Sequence, residues 1–297
     1  MKSYNSYSIA EEHQGFTVEV YLKQVLNYSG RKIQKLTRQK GILLNKKKVF
    51  LQRKIKSGDI LRVATLEDFS YGVEPEQGPL EILYEDDYLI VLNKPTGLLV
   101  HPAGQTSRGT LSNYLAYYYQ EQNAINTVRP IHRLDRETSG CIVFAKDSHT
   151  QALLDKSLKI RSLKRTYRAV VNGIVNPPLG TINAPIGPHP TKPNRRAVNQ
   201  KGDPAITHYK TLQSFSEASL LELTLDTGRT HQIRVHLAYL GHPIIGDRMY
   251  GKGSALITGQ ALHAFSLRFP HPVEQGEIMV EASYPTNFLR VLENYST

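Results

Sequence analysis

Cysteine, long apolar runs and repeated segments are scarce or missing in this chain of 297 residues. Its single cysteine, Cys141, excludes an internal disulfide framework and any zinc site built from several cysteines. No stretch approaches the roughly 18 apolar residues that a transmembrane helix needs, so we expect no membrane partner. The first residues carry acids and have no apolar core, which excludes a signal peptide. Together with the lone cysteine, these features predict a cytoplasmic protein.

Acidic residues are missing from one segment, Tyr21–Gly58. This segment carries 12 lysines and arginines, whereas the net charge of the whole chain is only +11, so the remainder is close to neutral. A merely solvated surface is one explanation. Because like charges repel each other, such a cluster is more typical of a surface that binds an anionic polymer. We therefore predict a separate module with that role.

Two helices followed by short strands are predicted for this basic segment. Apolar spacing predicts helices at 17–28 and 31–40 and strands at 42–44, 49–51 and 60–63. The order of elements, the basic second helix and the GDILRV ending resemble the small RNA-binding module first seen in ribosomal protein S-four. Asn45-Lys46 stands where that module usually has Asn-Gly. The resemblance implies a divergent S-four-like RNA-binding domain, placed at 1–75 together with an acidic, Pro-containing linker at 65–79.

The most informative run of the chain is His132–Gly140, with the sequence HRLDRETSG. It sets one carboxylate, Asp135, between Arg133 and Arg136. A cation close by lowers the pKa of a carboxylate by roughly 1–3 units, so Asp135 is expected to stay ionised and to act as a nucleophile or base. The arginines are equally suited to binding phosphate groups. The alternative is an exposed loop with screened ion pairs.

Four further stretches have unusual composition at loops or strand ends, where functional groups tend to lie. They are LNKPTGL at 92–98, KRTYRAV at 164–170, TGRTHQIRVH at 227–236 and GHPIIGD at 241–247. Together with HRLDRETSG, these motifs resemble, in their order and their sequences, those of the RluA family of RNA pseudouridine synthases (RluA, RluC and RluD type). The likeness covers roughly residues 80–285.

Strands dominate residues 76–297 and often follow one another directly. This pattern favours an α+β fold, with a largely antiparallel mixed sheet and flanking helices, over a doubly wound parallel sheet. The resemblance implies that residues 76–297 form the pseudouridine synthase catalytic domain.

The resemblance also implies an activity, the isomerisation of uridine to pseudouridine within RNA. Asp135 matches the catalytic aspartate of the family, Tyr167 the tyrosine that stacks on the target base, and Arg234 the basic partner of the aspartate. Arg133 matches the arginine that occupies the space left by the flipped nucleotide. Other substrate-binding residues are expected in the same motifs: His132, Arg136, Arg229, His231 and Gln232. The carboxylate can attack the base, attack the sugar or remove a ribose proton, and the sequence leaves these three open.

No cofactor, metal or nucleotide is expected to take part, because the isomerisation involves no net oxidation or hydrolysis. His231 and His236 are five residues apart, or about 140° around a helix, and so share no face for a metal. Residues 246–252 fit the opening of a phosphate-binding loop, but Gly253 follows where Ser or Thr is required.

The predicted partner is RNA, with large-subunit ribosomal RNA favoured and transfer RNA as an alternative. A rival hypothesis is a non-catalytic RNA-binding or ribosome-assembly factor on the same fold. Another is a glycosidase, which would release uracil. We take a monomer as the default oligomeric state.

Overall fold

The computed structural model describes residues 4–26, 28, 30–64 and 70–296, which belong to two compact units, Met1–Phe69 and Ser70–Thr297. Part of the expected linker, residues 65–69, lies outside the described residues. Beyond it, the carbonyl of Ser70 accepts a hydrogen bond from Thr127 at 2.7 Å, and that of Glu74 accepts one from Asn113 at 2.8 Å. Residues from Ser70 onward therefore belong to the larger unit rather than to a linker.

The smaller unit combines a short helical segment, one longer helix and a four-stranded antiparallel sheet of order β1-β4-β2-β3. Its elements are β1 (Tyr4–Ser8), a single turn 3-10 helix (Glu11–His13), α1 (Val18–Val20) continuing as a π-helical turn (Tyr21–Val25), α2 (Gly30–Arg38), β2 (Ile42–Leu44), β3 (Lys47–Lys48) and β4 (Ile60–Ala64). Apolar side chains of these elements pack into one small core, with Leu22, Leu36 and Leu61 fully buried.

One strand of this unit differs from the sequence prediction, and the structure shows the geometry of one hairpin that the prediction left open. The prediction of a strand at 49–51 is wrong. The carbonyl of Leu51 accepts a hydrogen bond from the backbone of Glu19 in α1 and not from a neighbouring strand. The hairpin between β2 and β3 forms without the usual glycine. Asn45 and Lys46 both adopt positive φ angles, of 49° and 66°, as a tight two-residue hairpin turn requires. The side chain of Asn45 accepts a hydrogen bond from the backbone of Ile60 at 2.9 Å, which fixes the turn.

The larger unit is built on one sheet of ten strands, in the order β10-β13-β14-β9-β15-β8-β6-β5, to which β16 and β7 attach beside β15 and β8. The strands are β5 (Ile82–Glu85), β6 (Leu89–Lys94), β7 (Arg129–Pro130), β8 (Ser139–Ala145), β9 (Lys164–Asn172), β10 (Leu179–Asn183), β11 (Ile186–Pro188), β12 (Arg196–Val198), β13 (Ile206–Ser214), β14 (Ala218–Leu225), β15 (Leu262–Pro270) and β16 (Glu277–Glu281). The helices are α3 (Leu111–Glu121), α4 (Ser148–Lys159), α5 (Gln232–Tyr239) and α6 (Thr286–Ser296). Strands β11 and β12 form a separate small sheet.

Apart from the pair β8 and β15, the strand pairs of the described sheets are antiparallel, and helices flank the large sheet. The α+β fold with a largely antiparallel mixed sheet is therefore confirmed. Strands β6 and β8 are buried on both faces, because alternate residues contribute to two different apolar clusters. This explains why both strands read as continuous apolar runs. No helix within the described ranges is long and apolar enough to cross a membrane.

Gly140, the last residue of the HRLDRETSG run, lies where β8 meets β15. Its φ angle is +107°, and a Cβ atom there would collide with the backbone of Ala264. Only glycine tolerates both conditions. The close contact fixes the start of β8, and with it the loop that carries Asp135.

Candidate active site

Asp135 lies in the loop between β7 and β8, and a buried lysine holds that loop in place. The ammonium group of Lys94, at the end of β6, donates hydrogen bonds to the carbonyl oxygens of Pro95 and Leu98 at 2.8 Å and of Arg136 at 2.9 Å. Burial lowers the pKa of Lys94 to about 7, and the charges of Glu137 and Asp135 oppose that shift. Three carbonyl acceptors match the three hydrogens of the ammonium form, so we assign Lys94 as charged at neutral pH.

The carboxylate of Asp135 is paired with Arg234 of α5. Nη1 of Arg234 donates to Oδ2 of Asp135 at 2.9 Å, and the two side chains are only 18% and 8% exposed, Asp135 being the more open of the two. Within the described residues, Oδ1 of Asp135 accepts no hydrogen bond from the protein. One oxygen is therefore fixed, while the other remains able to meet a substrate.

A second carboxylate, Asp247, binds the same arginine from the other side. Nε and Nη2 of Arg234 donate to its two oxygens at 2.7 and 3.0 Å, and its side chain is fully buried. Burial opposes the charge on Arg234, but the hydrogen bonds and charges of Asp247 and Asp135 outweigh it and raise the pKa of the guanidinium. Two carboxylates share one cation, so the trio keeps one net negative charge.

His231 and Tyr250 complete this group. The hydroxyl of Tyr250 lies 2.9 Å from Nδ1 of His231 and accepts a hydrogen bond from the backbone N–H of Arg196 at 2.9 Å. Nε2 of His231 lies 4.0 Å from Oδ2 of Asp135. Burial lowers the pKa of His231, although the charge of Asp135 opposes this. We therefore assign a neutral imidazole that accepts from Tyr250 and directs its N–H toward Asp135.

His231 also has an unusual backbone. Its φ angle is +59°, in the left-handed region that a non-glycine residue enters at a cost of about 1 kcal/mol or more. It directly precedes α5, so this conformation sets both the start of the helix and the direction of the imidazole.

Asp135, His231 and Arg234 line a cavity of about 490 Å³, a size typical of small-molecule sites. Basic side chains predominate among its charged residues. The lining includes Asp135, Tyr167 and Arg234, together with His132, Arg133, Lys159, Arg165, Arg229, His231 and Gln232. Two carboxylates, Asp135 and Asp226, thus lie in a pocket whose charged residues are mainly cations. Asp226 is paired with Arg161 at 3.1 Å and lies 3.3 Å from Nε2 of His208.

The structure brings together eight of the nine residues that the sequence singles out. Arg136 is the exception, because its side chain is exposed and is not part of the cavity lining. The backbone carbonyl of Arg136 accepts a hydrogen bond from Lys94, and this bond connects the residue to the site. The expectation that Arg133 and Arg136 hold the charge of Asp135 is wrong, since in the described part of the chain neither forms an ion pair with it.

The side-chain amide of Gln232 forms all its hydrogen bonds within the protein. It accepts from Thr227 and from the backbone of Arg229, and it donates to Ile206 and Thr207. These bonds hold the start of α5 against the neighbouring strand β13.

The polar atoms of the His132 ring and the side chain of Tyr167 are both buried. Both ring nitrogens of His132 are buried, and in the described structure neither has a hydrogen-bond partner; burial lowers its pKa to about 3. Tyr167, on β9, is only 5% exposed, and burial raises the pKa of its phenol. Both side chains are therefore neutral at pH 7.

Sequence reasoning missed the contributions of Lys94, Asp247 and Tyr250. Lys94 reads from the sequence as a turn or surface residue, and it is fully buried. Asp247 is the last residue of the GHPIIGD stretch. The sequence therefore shows the motif, but it does not indicate that Asp247 binds Arg234. A buried carboxylate near a buried arginine is recognisable only when both are seen in space.

Comparisons with known proteins identify the family of the chain. A family model for RNA pseudouridylate synthases matches residues 88–239. The uncharacterised RNA pseudouridine synthase YhcT of Bacillus subtilis is 42% identical over 289 residues, covering 97% of this chain and 96% of its own. The ribosomal large subunit pseudouridine synthase D of Haemophilus ducreyi is 36% identical over 309 residues, covering 97% of this chain and 94% of its own.

A solved structure agrees with them at the level of the fold. The human RNA pseudouridylate synthase domain containing 4 superposes with a TM-score of 0.60 at 26% identity, covering 73% of this chain and 93% of its own. The chain therefore belongs to the family of RNA pseudouridine synthases, isomerases that act on RNA, as its sequence motifs indicate.

Proposed function

We propose that the chain isomerises uridines of large-subunit ribosomal RNA, with Asp135 as the catalytic carboxylate. The observation that carries this is the single hydrogen bond from Arg234 to Asp135. Because Asp247 engages Arg234 with two hydrogen bonds, the arginine fixes Asp135 without cancelling its charge. A buried carboxylate without such a partner tends to take up a proton and lose its nucleophilicity.

The reaction breaks the bond from C1′ of the ribose to N1 of the base and forms a bond from C1′ to C5. The proton on C5 is lost and N1 gains one, so atoms and charge balance without an oxidant or added water. Asp135 is the carboxylate we propose to attack the base or the sugar, or to remove the ribose proton. The other carboxylate of the lining, Asp226, has both oxygens engaged, one by Arg161 at 3.1 Å and one 3.3 Å from His208. All three routes use the carboxylate of Asp135, which Arg234 holds at the edge of the cavity.

Tyr167 is the proposed stacking partner of the target base. A uridine must leave its stack before an enzyme reaches its glycosidic bond, which costs a few kcal/mol. Stacking on an aromatic side chain recovers about 1–3 kcal/mol per base. Tyr167 lines the cavity together with Asp135, so a base lying against its ring is within reach of the carboxylate.

The cations around the cavity are the proposed contacts for RNA phosphates. Arg133, Lys159, Arg165 and Arg229 all line it. Arg229 is held by a hydrogen bond to the carbonyl of Pro204 at 3.1 Å, and Nε of Arg165 is buried without a partner among the described residues. Guanidinium groups suit phosphate because they present several donors in a fixed plane.

Gln232 and His231 are better described as positioning residues. The amide of Gln232 is fully occupied within the protein, and the imidazole of His231 connects Tyr250 to Asp135. His132 keeps its proposed role in substrate binding, because it lines the cavity and its ring nitrogens have no partner within the described residues.

Ribosomal RNA is proposed as the target for two reasons. Several relatives that are 34–38% identical to this chain carry the name ribosomal large subunit pseudouridine synthase D. The basic Tyr21–Gly58 segment also adds a second RNA-binding surface, which suits a large folded RNA. We propose that the unit Met1–Phe69 is this S-four-like RNA-binding module.

The test uses RNA from cells that lack this protein, treated with carbodiimide and read by primer extension. We expect stops to disappear from large-subunit ribosomal RNA, to return with the wild-type gene, and to stay absent with Asp135→Asn. Loss of stops from transfer RNA alone would refute the proposed target. An unchanged pattern in both RNAs would support a non-catalytic binder, and free uracil in a reaction with purified protein would indicate a glycosidase.

A further inference from the structure

Phe50 is the most exposed large apolar side chain among the described residues, with 89% of its surface open to solvent. It lies in the smaller unit, two residues after β3. Its neighbours Val49 and Leu51 both pack against the apolar core of that unit. Since its two neighbours pack on the core while 89% of Phe50 is exposed, the ring of Phe50 points away from the core.

The backbone around Phe50 is fixed. The N–H of Arg53 donates to the carbonyl of Phe50 at 3.0 Å, and the N–H of Glu19 donates to the carbonyl of Leu51 at 2.9 Å. The ring is therefore presented by an ordered turn that is hydrogen-bonded to α1.

Exposed cations flank Phe50 on both sides. Lys46, Lys47 and Lys48 precede it, and Arg53 and Lys54 follow it, all with exposed side chains. Within the described residues none of these five forms an ion pair with a carboxylate.

The acids of this region are engaged elsewhere. Glu19 is bound by Lys23 at 2.6 Å and by Gln52 at 3.0 Å, while Asp59 accepts from Asn45 and from the backbone of Lys56, both at 2.8 Å. The cations around the ring are thus left available for an anionic ligand.

We propose that Phe50 is a stacking platform for an unpaired nucleobase of RNA, with the flanking cations binding the adjacent phosphates. The combination of an aromatic face and a basic surround is how proteins bind single-stranded nucleic acid. A membrane is disfavoured because insertion needs a broad apolar face, whereas here the residues on either side of the ring point into the core. The inference rests on the proposed RNA-binding role of the smaller unit and adds a base-binding site to it.

The test measures the affinity of the full chain for two probes at fixed salt. One is an oligoadenylate of 12 nucleotides, which contains no uridine and so offers the active site no substrate. The other is an abasic ribose-phosphate strand of the same length. We expect Phe50→Ala to weaken binding of oligoadenylate by at least about fivefold, the low end of base stacking, and to leave binding of the abasic strand unchanged.

Matched variants separate stacking from other effects. Phe50→Trp should restore affinity and Phe50→Leu should not, because leucine has bulk but no aromatic face. Ile60→Ala removes another exposed apolar side chain of the same unit (48% exposed) and should change nothing. Phe50→Ala should keep the salt slope of wild type, whereas replacing both Lys47 and Lys48 with Gln should reduce it by about 0.7 for each phosphate that is no longer bound.

Unchanged binding of oligoadenylate by Phe50→Ala would overturn the proposal. So would an equal loss on both probes, because the ring would then only shape the basic loop. Loss of binding to anionic lipid vesicles with RNA binding intact would show that the ring serves a membrane. None of these readouts requires catalysis, so a failure here is distinct from a failure of Asp135 as the catalytic residue.

Discussion

Arg234 contacts two carboxylates at once, and the contacts are unequal. Asp247 receives two hydrogen bonds from it and is fully buried, whereas Asp135 receives one and borders the cavity. Backbone N–H groups of Met249 and Tyr250 also donate to Asp247, at 2.9 and 3.2 Å. Asp247 is therefore the anchor of the arginine, and Asp135 is the group that the arginine positions.

Replacing Asp247 with Asn tests this division. The variant leaves Arg234 with one anionic partner in a buried setting, so we expect the free energy of unfolding to fall by about 3 kcal/mol, as when a buried pair loses one member. Isomerisation should slow as well, because Arg234 is then free to neutralise Asp135 more fully. Urea unfolding and single-turnover kinetics measure the two effects.

The control for this change is Glu277→Gln. It removes an ion pair with Arg268 in which both side chains are about half exposed, at 48% and 57%. Such pairs contribute about 0–1 kcal/mol, so stability should barely change. Equal effects of the two substitutions would contradict the anchoring role of Asp247.

At this scale, the family resemblance predicts the pairing of Asp135 with Arg234, and the structure has that hydrogen bond, whereas the role of Asp247 as a second partner of the arginine is not predicted. Asp135, Tyr167 and Arg234 stand in distinctive motifs and do line one cavity. Charge pattern alone favours the adjacent arginines as the support for Asp135, because neighbours in sequence are the only neighbours that a sequence displays. The partner seen in the structure comes from α5, about a hundred residues later.

At the scale of elements, the parallel contact between β8 and β15 is the feature that orders the catalytic loop. His263 of β15 is fully buried there. Its ring nitrogens lie 2.8 Å from the hydroxyl of Ser139 and 3.1 Å from the carbonyl of Ala282, which follows β16. Because a carbonyl only accepts, Nε2 carries the hydrogen and Nδ1 accepts from Ser139. The neutral imidazole thus links β15 to β8 and to the residue that follows β16.

His263 predicts a specific loss of stability in acid. Burial lowers its pKa from 6.5 to about 4, and the charge of Arg168 also lowers it. As the pH falls below 6.5, this histidine takes up a proton in the unfolded chain, but in the folded protein it does so only near pH 4. The contribution of His263 to the free energy of unfolding is therefore complete above pH 6.5 and declines as the pH falls from 6.5 to 4. The decline attributable to this group is about 3 kcal/mol.

Comparison with His263→Gln isolates that contribution. The variant has no titrating group at this position, so its free energy of unfolding should depend less on pH between 7 and 4 than that of wild type. Urea unfolding at several pH values measures both curves. Parallel curves would mean that His263 titrates normally and that the strands are held together differently.

The elements themselves follow from the sequence to different degrees. Strands of the large sheet are visible as apolar runs because their side chains are buried on one or both faces. Strands β11 and β12 are three residues long and form their own two-stranded sheet, so no periodicity marks them. The hairpin at Asn45–Lys46 is hard to anticipate, because a lysine rarely adopts a positive φ, and the bond from Ile60 to Asn45 that stabilises it is not local.

At the scale of the whole molecule, the chain consists of two compact units, and the smaller one contains the basic segment that we propose to bind RNA. The hydrogen bonds of Ser70 and Glu74 to the larger unit indicate that a clean truncation removes residues 1–69 rather than 1–75. We expect this truncation to weaken binding to ribosomal RNA. It should also flatten the dependence of log K on log salt by about 0.7–0.9 for each phosphate that the basic unit neutralises.

Titration of the same RNA at several salt concentrations provides the measurement, with thermal unfolding as a check that the larger unit stays folded. Unchanged affinity and slope would mean that the basic segment serves something other than RNA. A uniform loss of affinity without a change in slope would mean that its contribution is not electrostatic.

The central claim is that the carboxylate of Asp135 performs the isomerisation. The most direct measurement is the single-turnover rate of Asp135→Asn on a ribosomal RNA substrate, taken together with its affinity for that RNA. We predict a rate reduced by at least roughly a thousandfold, as is common when a catalytic group is removed, with affinity close to that of wild type. A rate near that of wild type would contradict the account, because the carboxylate that Arg234 holds at the cavity would then not be needed.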